Sequence, residues 1–158
     1  MKPFPHHYHA SANAEETGYT TLTSPGLRPL MSAPPAEFNG PGDLWSPETL
    51  FVGAVADCFI LTFKTIATAA KLRWTNLVCD AEGVLDRTEE SIRFSGIDLH
   101  VRLELPFQTD EEKARRLLEK AEKACLIGNS LRFKPVLHSE IVIERELNLV
   151  SSSIGRIL

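Results

Sequence analysis

Residues 46–63 read SPETLFVGAVADCFILTF, and the fold turns on how that stretch is housed. Ser46 is of a type that caps helix N-termini. Pro47 suits the first helical position, where its missing N–H costs nothing, and Glu48 stands where the positive end of the helix dipole favours an acid. Trp45, just ahead of the cap, is placed to pack on Leu50 as a hydrophobic staple. The punctuation predicts a helix from Ser46 to near Leu72. From Leu50 to Phe63 the residues are apolar on nearly every face, so this helix is expected to be buried all round, a central rod wrapped by other elements. Gly53, Ala54 and Ala56 keep it thin enough for close backbone approach. Cys58 sits near its middle. A small, polarizable thiol packs well in a core, so position alone leaves filler and nucleophile both open.

Working outward, the N-terminal segment is weakly alternating and broken by Gly18, Pro25, Gly26, Pro29, Pro34, Pro35, Gly40, Pro41 and Gly42. Short strands fit it: a hairpin over about residues 7–24 and a third strand near 28–33. His6, His7 and His9 have no carboxylate or sulfur close in sequence and read as solvated surface residues. Beyond the helix, two long strands are expected at Thr75–Asp86 and Ser91–Leu105, joined by the charged turn RTEE. Ser95 and Gly96 allow a slip of phase in the second strand. A second helix, from about Asp110 to Ala124, has Ala114, Leu117, Leu118, Ala121 and Ala124 on one side. Its other side interleaves Lys113, Arg115, Arg116, Lys120 and Lys123 with glutamates, the pattern of a solvated face. ACLIGNSLRF then starts a short helix at or near Cys125. A last strand spans Pro135–Glu146, and the tail beyond Leu147 is unassigned. The order of elements is α+β with antiparallel sheets rather than a βαβ alternation, and no Gly-rich phosphate loop follows any strand.

The 158 residues fit a single domain, 1–158, with one core. An apolar fraction of 43%, a charged fraction of 24% and a net charge of -4 belong to an ordinary globular chain. No basic stripe marks a nucleic-acid surface, so no nucleic-acid partner is expected. The apolar run is too short for a bilayer and carries Asp57, so no membrane is expected either. MKPFPHHYHASANAEE lacks the charged start and apolar run of a signal peptide, which makes the expected location cytoplasmic. In that reducing compartment Cys58, Cys79 and Cys125 are expected to be free, reactive or metal-bound rather than bridged. With no C-x-x-C and no paired histidines, neither a metal nor a cofactor is expected. Cys79 shares its strand face with Leu77 and Ala81, the setting of a packed core thiol.

The segment GDLWSPETLFVGAVADCF resembles the central-helix motif of the OsmC/Ohr family, the osmotically inducible and organic hydroperoxide resistance proteins, and ACLIGNSLR resembles that family's second cysteine motif. Both stand in the family's order and at its approximate separation, and the resemblance covers about residues 5–146. It implies an OsmC-like fold in which antiparallel sheets wrap two central helices of an intertwined homodimer. It also implies that Cys58 is the peroxidatic nucleophile, Cys125 the resolving thiol, and Glu48 the carboxylate that helps organise the site. The expected substrate is a small organic hydroperoxide, and an external dithiol restores the pair. Helix geometry adds a condition: Glu48 and Cys58 are about 15 Å apart along one axis, so if they serve one site a partner chain brings them together.

The chain departs from the family pattern at arginine. Peroxidase members carry an Arg in the N-terminal strand region, whereas HASANAEETGYTTL has none and Arg28 is the only Arg before the central helix. Arg28 is therefore the remaining cationic candidate. A second reading is a catalytically weak relative that binds a small apolar or electrophilic ligand at the dimer interface, and a third is a structural dimer with inert thiols.

Overall fold

A computed structural model describes residues 2–145. Six strands and two helices follow in the order β1 (Ser11–Asn13), β2 (Thr20–Thr23), β3 (Leu30–Ser32), α1 (Pro47–Ala69), β4 (Asn76–Arg87), β5 (Ile92–Leu105), α2 (Glu111–Ala124) and β6 (Val136–Ile143), with 3-10 turns at Ala36–Phe38 and Gly128–Ser130. The residues gather into two compact units, which divide within α1 between Ala54 and Val55.

In the first unit β1, β2 and β3 form an antiparallel sheet in that order, with Ala12 opposite Leu22 and Leu22 opposite Leu30. The lead-in to α1 is tied to this sheet, because Ala33 N–H donates to the Trp45 carbonyl and Ser32 bridges Trp45. Gly40 makes the intervening loop possible: a Cβ there would fall on the Pro34 carbonyl. The cap of α1 is as expected from sequence. Thr49 N–H donates to Ser46 Oγ at 3.1 Å and Ser46 N–H donates to Thr49 Oγ1 at 2.8 Å, a reciprocal box with threonine in place of the usual Glu or Gln. The Trp45 ring lies against Gly53, 3.7 Å from where a Cβ would stand, which accounts for the glycine.

In the second unit β4 and β5 pair antiparallel over their whole length, and the register slips opposite Ser95, between Val84 and Leu85. This bulge falls where the phase of the sequence predicts it, and Ser95 Oγ donates to the Val84 carbonyl at 3.3 Å across it. The last strand departs from the antiparallel expectation. β6 runs parallel to β5, from Asp98 opposite Val136 to Leu105 opposite Ile143. The physical reason is α2, which lies against β6 and carries the chain back to the starting end of β5, as a parallel neighbour requires. The inward positions Ile97, Leu99, Val101, Leu103 and Leu105 of β5 are all buried.

α1 ends one turn earlier than its apolar pattern suggests, through a closing motif made without glycine. Lys71 takes φ +53, Leu72 N–H donates to the Ala67 carbonyl at 3.0 Å, and Lys71 N–H donates to Thr68 at 3.1 Å. Lys113 of α2 adds its ammonium to the Ala70 carbonyl at 2.7 Å. The expectation of all-round burial does not hold within one chain. α1 buries one stripe, Val55, Phe59, Phe63 and Ala67, while Leu61 is 52% exposed. One chain supplies packing for one face only. At 23 residues α1 is also long and apolar enough to cross a bilayer by length and composition, beyond the shorter run read in the sequence, but its buried stripe is already packed against protein.

Candidate active site

Two helices deliver two thiols to one place. Cys58 projects, half-buried, from the part of α1 that belongs to the second unit, and Cys125 is the buried C-cap residue of α2. α2 is started by Asp110, whose Oδ1 accepts from Lys113 N–H at 2.8 Å, and its Ala114, Leu118 and Ala121 stripe fixes the helix against the core. Cys125 leaves the helix in an extended conformation (φ -63, ψ 114), which turns the following segment toward α1.

The sulfur atoms are held by hydrogen bonds. Ile127 N–H donates to Cys58 Sγ at 3.4 Å, and Gly128 N–H donates to Cys125 Sγ at 3.4 Å. Burial pushes the Cys125 thiol up to about 11; the neighbouring Cys58 raises it further, against the lowering effect of the Gly128 and Ile127 amides. The two sulfurs thus accept from consecutive amides of one turn, which sets Cys58 and Cys125 beside each other. Cys79 faces inward from β4 as a half-buried thiol, also pushed up to about 11, first by burial, then by Asp80 and Cys125.

The other two sequence candidates lie in the first unit. Glu48 lines a mostly apolar pocket of about 480 Å³ with Leu22, Ala33, Pro34, Phe38 and Leu50 among its walls. Its Oε2 is buried there without a hydrogen-bond partner. Arg28 is exposed just before β3, makes no ion pair among the described residues and does not line that pocket. The structure thus brings Cys58 and Cys125 together and does not bring Arg28 to Glu48. Among the described residues no cluster of three or more His, Cys, Asp and Glu side chains is arranged to hold a metal.

Ile127 and Gly128 escape a reading of residue types, because their contribution is made by the main chain and any residue but proline has the same amide. The one signal available was the small Gly128, three residues after Cys125, where a Cβ would stand 3.4 Å from the Cys125 sulfur.

A mixed α+β chain with one long helix, two three-stranded sheets and a cysteine on each helix's contribution to a common site has close structural relatives. An OsmC-like protein of unknown function from Vibrio cholerae shares the fold with a TM-score of 0.76 at 14% identity, covering 86% of this chain and 100% of that one. An organic hydroperoxide resistance protein OsmC from Legionella pneumophila gives 0.69 at 24% identity, over 89% and 99%. An organic hydroperoxide resistance protein from Elizabethkingia anophelis, solved with thiocyanate bound, gives 0.71 at 20% identity, over 91% and 100%. In sequence, the uncharacterized protein YmaD of Bacillus subtilis is 26% identical over 144 residues, 88% of this chain and 95% of its own. The OsmC-like protein family profile matches residues 40–140, and the chain belongs to that family.

Proposed function

We propose that the protein is a thiol-dependent peroxidase that reduces organic hydroperoxides through Cys58 and Cys125. The observation that carries this reading is the meeting of the two thiols at one turn, where Cys58 accepts from Ile127 N–H and Cys125 from Gly128 N–H. The hydroperoxide resistance named for two of the solved relatives supports the same class of chemistry. Cys58 attacks as thiolate on the distal peroxide oxygen: the S–O bond forms, the O–O bond breaks, and the departing alkoxide takes a proton to become an alcohol. The Cys58 sulfenic acid condenses with the Cys125 thiol, forming the disulfide and releasing water. An external dithiol reduces the disulfide by exchange and leaves as its own disulfide. Leu126 and Ile127 are exposed apolar side chains beside the thiols, which favours an organic over an inorganic peroxide.

The proposed working form is a cytoplasmic homodimer. The uncovered apolar faces of α1 supply the surface, and Glu48 of one protomer serves Cys58 of the other, since the two residues are too far apart on one helix to meet. A stoichiometric organic hydroperoxide added to the reduced protein is expected to remove two thiols per chain, and mass spectrometry is expected to find Cys58 joined to Cys125. Loss of no thiols, or equal loss in Cys58→Ser, would sink the peroxidase reading.

One observation favours a second reading, a catalytically weak binder. The pocket at Glu48 is apolar, its carboxylate oxygen is unpartnered, and Arg28 stands away from it. A small ligand that binds the reduced protein without thiol loss supports this alternative.

A further inference from the structure

A thiolate nucleophile needs a compensating donor, and the sequence offers no arginine in the first hairpin to provide one. The donors found at the sulfur atoms are peptide amides. Ile127 N–H reaches Cys58 Sγ and Gly128 N–H reaches Cys125 Sγ, both at 3.4 Å, so two consecutive amides divide between two sulfurs of different helices. The turn that presents them is fixed on both sides. Asn129 N–H donates to the Cys125 carbonyl at 2.9 Å, Ser130 Oγ donates to the Leu126 carbonyl at 2.9 Å, and the Asn129 side chain donates to the Lys123 carbonyl at 3.0 Å. Gly128 is buried against Cys125 and Pro135, which holds the turn close to the sulfurs.

We propose that the Ile127 and Gly128 amides are the donors of the thiol pair: Ile127 N–H stabilises the Cys58 thiolate, and Gly128 N–H holds the Cys125 sulfur in line to resolve it. For its role in turnover this rests on the peroxidase reading, but its physical content is the reactivity of Cys58 itself. An amide donates a hydrogen bond and no proton, so the reaction gains no reactant and the balance of each step is unchanged. Amide donors are always present and are already oriented, whereas an arginine must order a long side chain to do the same work. The arrangement also separates the thiols' roles. Cys58 receives its donor from Ile127 and Cys125 receives its own from Gly128.

The test removes one N–H. Ile127 has φ -67, a value proline adopts, so Ile127→Pro deletes the donor at its own position. Because proline also restricts the preceding Leu126, a second variant carries the α-hydroxy acid analogue of isoleucine at 127, which exchanges the amide for an ester without that restriction. Ile127→Ala keeps the amide and loses only the side chain. Alkylation of Cys58 by iodoacetamide is followed by peptide mass spectrometry against pH in the intact protein, with circular dichroism as the check on folding. The ester and proline variants are expected to raise the midpoint of the Cys58 profile by about one pH unit and slow alkylation about tenfold near neutral pH. Ile127→Ala is expected to stay within about twofold of the parent, since its donor is intact. An unchanged profile in the ester variant, or an equal loss in Ile127→Ala, overturns the proposal. Iodoacetamide needs no peroxide, so failure of the hydroperoxide assay with a shifted alkylation profile removes the peroxidase reading and leaves the amide role standing.

Discussion

α1 and α2 bury the same kind of surface and leave opposite remainders. α1 packs Val55, Phe59, Phe63 and Ala67, and α2 packs Ala114, Leu118 and Ala121, a single stripe in each case. On the rest of α2 the charges pair along the helix, Arg115 with Glu111 at 2.7 Å and Arg116 with Glu112 at 3.4 Å, which is a finished surface in water. On the rest of α1, Asp57, Lys64, Thr65 and Thr68 face solvent, but Leu61 is half exposed and Phe51, Val52, Ile60 and Ile66 are only half-buried. One helix is complete in the single chain, and the other carries more apolar surface than its own chain covers. The second is the helix that bears the proposed nucleophile, and in the proposed dimer its uncovered side is the contact.

The largest effect expected is the cost of opening either buried stripe. Phe59→Ala should destabilise by about 3–5 kcal/mol and Leu118→Ala by about 2–5 kcal/mol in urea unfolding, because each leaves a cavity in a close-packed site. A negligible loss for Phe59→Ala would break the assignment of α1's buried side. The next effect separates the two remainders. Leu61→Glu should weaken self-association at least about hundredfold by analytical ultracentrifugation, while Lys120→Glu, on the solvated face of α2, should leave it unchanged. Equal behaviour of the two variants would remove the contrast between the helices and the proposed dimer surface with it.

The smallest effect concerns pH. Cys125 and Cys79 both titrate near 11 in the folded chain, above the ordinary value of 9.0, so the native state binds their protons more tightly than the unfolded state. Their contribution to stability is full below about pH 9 and is lost as pH rises through about 11. Cys125→Ser should flatten that alkaline decline in urea midpoints measured from pH 8 to 11. Cys58→Ser should flatten it less, because it removes only one of the influences raising Cys125, and burial, the largest, remains. A decline unchanged by Cys125→Ser would show that the end of α2 does not hold a tightly bound proton.

Much of this was legible along the chain. The Ser46 cap, the α2 stripe and the Ser95 bulge are read from neighbours a few residues apart, and each is found where the pattern puts it. The resemblance at two cysteine motifs singled out Cys58 and Cys125, whose sulfurs accept from neighbouring amides of one turn. The antiparallel expectation failed for β6 because strand direction depends on where α2 returns the chain, which no local alternation records. All-round burial of α1 failed for a related reason: hydrophobicity states what a helix should cover, not whether one chain has enough surface to cover it. The main-chain donors at Ile127 and Gly128 were invisible because their side chains carry no chemistry.

By itself, then, the sequence determined the helices with their caps, the long β4–β5 pair with its slip, and the residue types available for thiol chemistry, because these depend on short-range sterics and on periodicity. Only the tertiary structure decided which thiols meet, which amides reach the sulfurs, and which side of α1 stays uncovered, because each depends on atoms from distant segments arriving within hydrogen-bond or packing distance.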